Sequence, residues 1–227
     1  MNRLTEYLHT LPFWDNLTET EKNLLRDNAY VRFFDKDSYF LHSKTDEDFG
    51  LMLLIEGKIR AFLLSQDGRE ITLFSLRNQS ICVFSALSLF KQISFQVFLT
   101  ADCHSKVLVI NMSIMERLMR DNIYFRCFAY ELIAERFSSV MDSFRRHLFY
   151  GLEQRLASFL VSEYDHYGKT QLRLTHEHIA RHVGTSRECI TKTLKKLSDK
   201  NLISKSKGCI EITDIEKLRE AAKSPDF

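Results

Sequence analysis

The stretch Leu174-Thr175-His176-Glu177-His178-Ile179-Ala180-Arg181-His182-Val183-Gly184-Thr185-Ser186-Arg187-Glu188-Cys189-Ile190-Thr191-Lys192-Thr193-Leu194-Lys195-Lys196-Leu197 reads as two helices joined by a tight turn. Thr175 can cap a first helix whose apolar face carries Ile179, Ala180 and Val183, and Gly184 stands where a left-handed residue ends it. Ser186 is the next N-cap. Ile190, Thr193, Leu194 and Leu197 then recur at helical spacing and predict the side that is fixed against a core. The other side is polar and basic. Arg187 and Glu188 fall in the first turn and Lys192 one turn on, where a helix entering a major groove by its amino end presents side chains to base edges. A bidentate Arg187 suits guanine, and Glu188 suits the amino group of cytosine.

From Arg181 to Lys207 there are eight Lys/Arg against Glu188 and Asp199 alone, which suits a phosphate-binding surface. Beyond the helices, Asn201-Leu202-Ile203-Ser204 followed by Lys205-Ser206-Lys207-Gly208-Cys209-Ile210-Glu211-Ile212 predicts two short strands around a basic, Gly-containing turn. Lys205 and Lys207 of that turn, a wing, are placed to grip backbone phosphates. A solvated helical hairpin with basic residues outside has the same pattern, so the motif alone leaves two readings open.

The run Leu-Thr-His-Glu-His-Ile-Ala, then Gly-Thr-Ser-Arg-Glu, Leu-Lys-Lys-Leu and Asn-Leu-Ile resembles the winged helix-turn-helix of the CRP/FNR family of bacterial transcription regulators. In that family a Ser/Thr-Arg-Glu triplet opens the recognition helix, which Ser186, Arg187 and Glu188 match. A second Arg usually follows four residues after the Glu. Here Lys192 replaces it, keeping the charge but losing the planar fork that suits guanine. Thr175 matches a family position that touches the DNA backbone. The candidate DNA contacts are thus Thr175, Thr185, Ser186, Arg187, Glu188, Lys192, Lys205 and Lys207. The resemblance implies a homodimer on a palindromic site, with RNA polymerase as a further partner.

Composition fits this picture. The chain has 227 residues, enough for two domains, and charged residues interrupt every long apolar run, so no membrane span is expected. The Met1-Asn2-Arg3 start lacks the apolar core of a signal peptide, and a cytoplasmic address is expected. Residues 151–227 carry 14 Lys/Arg and 11 Asp/Glu, whereas residues 1–150 carry 18 and 19, so the basic excess is C-terminal. Five widely spaced cysteines, Cys82, Cys103, Cys127, Cys189 and Cys209, suit neither a disulfide framework nor a structural zinc site.

Between about Tyr30 and Ile110 the pattern is short strands and turns. Leu51 to Ile55, Lys58 to Leu64, Ile71 to Phe74, Val97 to Ala101 and Lys106 to Ile110 alternate with turn signals, of which Asp67-Gly68 is a strong hairpin mark. The expected fold is α+β: an antiparallel β-roll with N-terminal helices over residues 1–112, a long helix over 113–150 and a winged helix-turn-helix over 151–227. The resemblance assigns the roll to the cyclic-nucleotide-binding-domain type. In the long helix Phe125, Ala129, Ile133, Phe137, Val140, Phe144 and Leu148 make one apolar stripe, read as a dimer seam. Gly151 then breaks the helix at a hinge.

A cyclic-nucleotide-binding member of the family carries a Gly-Glu pair and an Arg-Ser or Arg-Thr pair for the anionic phosphate. At those places stand Ser85-Ala86 and Phe95-Gln96, which speaks against cyclic AMP. The N-terminal cysteine cluster of iron-sulfur sensing is absent. What is left is a candidate effector pocket of Cys82, Phe84, Ser85, Phe95, Tyr124 and Cys127. Haem stays open as a cofactor, with Cys82, His42 and His104 as ligand candidates, beside a redox-active thiol, a small apolar effector or none.

His178 and His182 stand four apart, a spacing that can bind zinc. Ala180 occupies the second His place of a metalloprotease motif, however, and surface or DNA-facing histidines are expected. A cupin-like metalloprotein would need clustered ligands, whereas His42 and His104 stand alone. No nucleophile-base set or phosphate loop is evident, so the chain reads as a non-enzyme. It is expected to regulate transcription by binding DNA, answering a signal or binding constitutively.

Overall fold

A computed structural model of the chain describes residues 3–41, 49–83, 97–206 and 208–223. These fall into two compact units, Met1–Leu63 with Leu73–Val140, and Leu64–Thr72 with Met141–Phe227.

The first unit opens with α1 (Arg3–His9) and α2 (Glu19–Asn28). Thr18 caps α2, accepting from the Glu21 amide at 3.3 Å while the Glu21 carboxylate accepts from the Thr18 amide at 2.7 Å. Eight strands follow among the described residues: β1 (Tyr30–Phe34), β2 (Tyr39–Leu41), β3 (Phe49–Glu56), β4 (Lys58–Leu64), β5 (Glu70–Arg77), β6 (Ile81–Val83), β7 (Val97–Ala101) and β8 (Ser105–Asn111). They form two four-stranded sheets, ordered β1-β8-β3-β6 and β2-β7-β4-β5. The β4–β5 hairpin turns at Gly68, whose φ of 79° suits a residue without a β-carbon.

The apolar runs of β3 and β8 lack the alternation of a half-buried strand because both of their faces are covered. Met52, Leu54, Val107 and Val109 point into a core shared with Ile59, Ala61, Leu73, Leu76, Val97 and Leu99. Leu51, Leu53, Leu108 and Ile110 point the other way, into a core with Leu8, Phe13, Trp14, Leu25 and Leu118. Successive strand residues face opposite sides, so each strand serves two cores.

Lys58 and Arg60 are buried, although their place in the strand pattern does not announce it. Asp102 compensates them, at 3.5 Å from Lys58 Nζ and 3.7 Å from Arg60 Nε. The Arg60 guanidinium also lies over the Phe62 ring, 4.4 Å from its centroid.

The expected helix from Ser113 is two helices, α3 (Met112–Asp121) and α4 (Ile123–Phe149). Asn122 makes the break. Its side chain oxygen accepts from the Phe125 amide at 3.0 Å, and its amide nitrogen donates to Asn16 O and Glu21 Oε2, both at 3.1 Å. Such an Asn satisfies the amino end of the second helix while tying it to the N-terminal helices.

The reading of the apolar stripe on α4 needs correction. Phe125 and Ala129 are fully buried in the first unit's own core beside Leu132, and Val140 packs partly against the inter-sheet core. Phe125 and Ala129 are used internally and are not open to a partner. Ile133 is half-buried, while Phe137 (67% exposed), Phe144 and Leu148 (74%) do face outward.

The second unit contains α5 (Leu152–Tyr167), β9 (Gln171–Leu172), α6 (His176–Val183), α7 (Arg187–Asp199), β10 (Ile203–Ser206), β11 (Cys209–Ile212) and α8 (Ile215–Ala222). Its core joins Leu156, Leu160, Ile179, Val183, Ile190, Leu194, Leu197, Ile210 and Leu218. Gly151 is the N-cap of α5 with φ of −63°, a conformation open to any residue, and its N–H donates to Gln154 Oε1 at 2.9 Å. The chain turns there through capping chemistry, without need of a glycine's freedom.

Candidate nucleic-acid interface

Helix α6 begins at Thr175, whose hydroxyl accepts from the His178 amide at 3.1 Å. It ends at Gly184, with φ of 74° and its N–H on Ala180 O at 2.9 Å. Two residues later Ser186 caps α7, accepting from the Cys189 amide at 3.3 Å. Ile179, Ala180 and Val183 of α6 and Ile190, Thr193, Leu194 and Leu197 of α7 are all buried. Burial of that side leaves Ser186, Arg187, Glu188, Thr191, Lys192, Lys195 and Lys196 exposed on the other.

Glu188 is held below the usual carboxylate range, first by its own backbone N–H and by the Ser186 hydroxyl, then by Arg187 and Lys192. It is therefore an ionised acceptor at neutral pH, as a contact to a cytosine amino group requires. Cys189 is shifted down as well, by hydrogen bonds from Ser186 and Thr185 and by the Lys192 charge.

The wing is an antiparallel pair in which Ile203 faces Ile212 and Ser206 faces Cys209, with β9 on the far side of β11. It turns through Gly208 at φ of 74°. Lys205 is exposed on β10, and Lys207 lies outside the described residues. Between the wing and the start of α6 runs a groove of about 470 Å³, lined by Thr175, His176, Glu177, Arg187, Lys205, Ser206 and Cys209 among others. Thr175, Arg187 and Lys205 thus border one groove, whereas Thr185, Ser186, Glu188 and Lys192 lie on or next to α7 outside it.

One pairing beside the groove escaped the sequence reading. His176 Nδ1 lies 2.8 Å from Thr191 Oγ1, joining the first residue of α6 to the exposed side of α7. The two are fifteen positions apart on different helices, so no local periodicity reveals the pair. His178 and His182 instead stack on each other with ring centroids 4.2 Å apart, and His182 lies 5.3 Å from Phe159.

The candidate effector pocket does not assemble from the described residues. Cys82 is enclosed between the sheets, where burial pushes its thiol up to about 12. Tyr124 and Cys127 lie on the exposed side of α4, while Phe84, Ser85 and Phe95 fall outside the described residues. Of the candidate haem ligands, Cys82 is buried between the sheets, His104 is exposed and 3.2 Å from Asp35 Oδ1, and His42 lies outside the described residues.

Among the described residues no helix is long and apolar enough to cross a membrane. Residues 154–221 match the Crp-like helix-turn-helix domain. A protein of Eubacterium rectale, described as a transcriptional regulator of the CRP/FNR family, is 33% identical; the alignment covers 95% of this chain and all of that one, with a TM-score of 0.87. A CRP/FNR transcriptional regulator of Thermus thermophilus shares the fold at 20% identity and a TM-score of 0.68, over 86% of this chain and 99% of that one. Transcriptional regulator SdrP, also of Thermus thermophilus, is 32% identical over 79 residues, which are 32% of this chain and 39% of SdrP. The match therefore spans about two-fifths of that relative's length. With the α+β architecture of an antiparallel β-roll and a winged helix-turn-helix, the full-length likeness at 33% identity places the chain in the CRP/FNR family of DNA-binding transcription regulators.

Proposed function

We propose that the chain works as a homodimer reading a palindromic DNA site, with α7 from Ser186 as recognition helix and the N-terminal β-roll answering a signal. The roles divide over residues 1–112 for the roll, 113–150 for dimerisation and 151–227 for DNA binding. Thr175, Thr185, Ser186, Lys192, Lys205 and Lys207 hold the backbone, and Arg187 and Glu188 read bases. RNA polymerase is the further partner, the setting is cytoplasmic, and the chain catalyses no reaction.

The observation that carries the dimer is the exposed face of α4. Ile123, Tyr130, Phe137 and Phe144 stand seven apart, and Cys127, Ala134, Met141 and Leu148 interleave with them at the same period. All eight are exposed. Alternating steps of four and three make the seam of a two-stranded coiled coil. Two copies joined along it would present two recognition helices, and a spacing of about 34 Å would bring them to successive major grooves.

The test selects binding sites from random duplexes and measures the mass of the protein in solution. A two-fold symmetric consensus with a dimeric mass supports the reading. A monomer, or binding without sequence preference, would overturn it.

A further inference from the structure

The seven-residue repeat on the exposed face of α4 fixes what stands on either side of that face. With Ile123 at position d and Cys127 at position a of a heptad, Arg126 and His147 fall at g, and Glu131 and Arg145 fall at e. These four are the only acidic or basic side chains at the e and g positions of the helix. Glu131 is the one acid among them. It is exposed in the single chain, and Arg126 is half-buried.

Arg126 is held in place by its own chain. Its Nε donates to Met119 O at 2.7 Å and its Nη2 to Arg120 O at 2.8 Å, so the guanidinium caps the carboxyl end of α3. These bonds use two of its five N–H groups and fix the planar fork beside the exposed face. In two parallel helices joined along such a face, the g position of one lies next to the e position of the partner's following heptad. Arg126 and Glu131 stand in that relation. In antiparallel helices g meets g and e meets e, and the pair does not form.

We propose that Arg126 and Glu131 are the residues by which α4 selects a second copy of this chain and sets its register. Arg126 of each copy pairs with the partner's Glu131, on either side of a layer in which Cys127 meets the partner's Cys127. This pairing rests on the reading of α4 as the dimer helix, and adds to it the direction of the second helix and the contacts that choose it. One exposed ion pair contributes little by itself. Here symmetry forms it twice with a pre-organised guanidinium, and its main effect is against wrong partners: a helix with a cation in place of the acid meets two repulsions.

The experiment measures the dissociation constant of the full-chain dimer by sedimentation for wild type, Arg126→Glu, Glu131→Arg and an equal mixture of the two variants. A homodimer of Arg126→Glu sets carboxylate against carboxylate at both contacts, and one of Glu131→Arg sets guanidinium against guanidinium. The mixed dimer restores opposite charges at both. Each variant alone should dissociate about tenfold more readily than wild type at low salt, and the mixture should recover most of that loss. The differences should shrink at about 1 M salt, which a purely structural role would not do. Glu131 is exposed, so Glu131→Arg keeps the fold and carries the test by itself if Arg126→Glu disturbs α3. Register is read at Cys127. Glutathione disulfide should join wild-type copies, two thiols closing one S–S bond as the oxidant is reduced to two glutathione thiols, and give twice the 26.7 kDa chain mass on a denaturing gel. Cys127→Ser should remain single chains there. A dimer indifferent to Glu131→Arg, two folded variants that gain nothing on mixing, or a dimer without the Cys127 cross-link overturns the proposal alone. A wild-type protein that is monomeric throughout overturns the reading of α4 as dimer helix and the proposal with it.

Discussion

Gly184 and His147 are in contact so close that a β-carbon added to the glycine would lie 2.8 Å from His147 Nε2. The same carbon would lie 3.4 Å from Glu70 O. The end of α4 and the turn before α7 therefore meet at a position where a side chain has neither room nor a suitable backbone.

Gly184→Ala should destabilise the second unit by about 1–3 kcal/mol, from a left-handed alanine and the displaced imidazole. Denaturant unfolding checks it. A loss of only a few tenths of a kcal/mol would mean that the turn relaxes freely.

His147 itself should make stability sensitive to acid. Burial lowers its pKa most, and Arg155 and Arg146 lower it further, while its Nδ1–H bond to Ser143 O, at 2.9 Å, works against them. Among the described residues Nε2 has no hydrogen-bond partner. The unfolded chain thus takes up a proton at a higher pH than the folded one. Stability is full above about pH 6.5, the ordinary histidine value, and falls as pH drops toward the lowered value. His147→Asn, which retains a donor, should melt with less pH dependence between pH 7.5 and 5.5. Parallel melting curves for variant and wild type would assign the acid sensitivity to other groups.

Arg187→Ala should cost about 1–3 kcal/mol on the preferred site and relax discrimination at one base position. Lys205→Ala should weaken all duplexes nearly equally and reduce the salt slope. Competition binding with single-base variants separates the two, and undiminished discrimination at every position in the Arg187 variant would sink its role as a base reader.

On α4, Phe137→Asp should shift the protein toward monomer with the fold retained, because the ring faces solvent in the single chain. Phe125→Ala should instead cost about 3–5 kcal/mol of folding stability, since its ring meets Phe13 edge-on at 4.8 Å inside the core. Sedimentation and unfolding curves distinguish them. A Phe137→Asp protein that stays dimeric would place the seam elsewhere.

Cys189 should react with thiol reagents much faster than Cys82. The former is exposed with a lowered pKa, and the latter is buried with its thiol pushed up to about 12. Mass-resolved alkylation of the native protein reads this directly. Equal rates would show that the core around Cys82 opens readily.

How legible each part was depends on the range of the interaction involved. The seven buried positions of α6 and α7 follow from periodicity, caps and one left-handed glycine, all local properties. The hairpin at Gly68 is local too. The break at Asn122 was hidden because its partners, Asn16 and Glu21, are about a hundred residues away. Phe125 and Ala129 were misread for a related reason: an apolar helix face wants burial, and sequence does not say whether the cover comes from the same chain or another. The burial of Lys58 and Arg60 likewise depends on Asp102, which lies on a separate segment.

The two-faced strands β3 and β8 have a consequence for how this protein can change over time. A residue such as Leu51 or Met52 has no outward side on which a polar replacement would be tolerated, and its neighbours in the strand answer to the opposite core. Any substitution there must satisfy one packed interior without disturbing the backbone that anchors the other. The centre of the roll is thus a fixed chassis. Divergence in the N-terminal unit is channelled into the turns and strand ends around it.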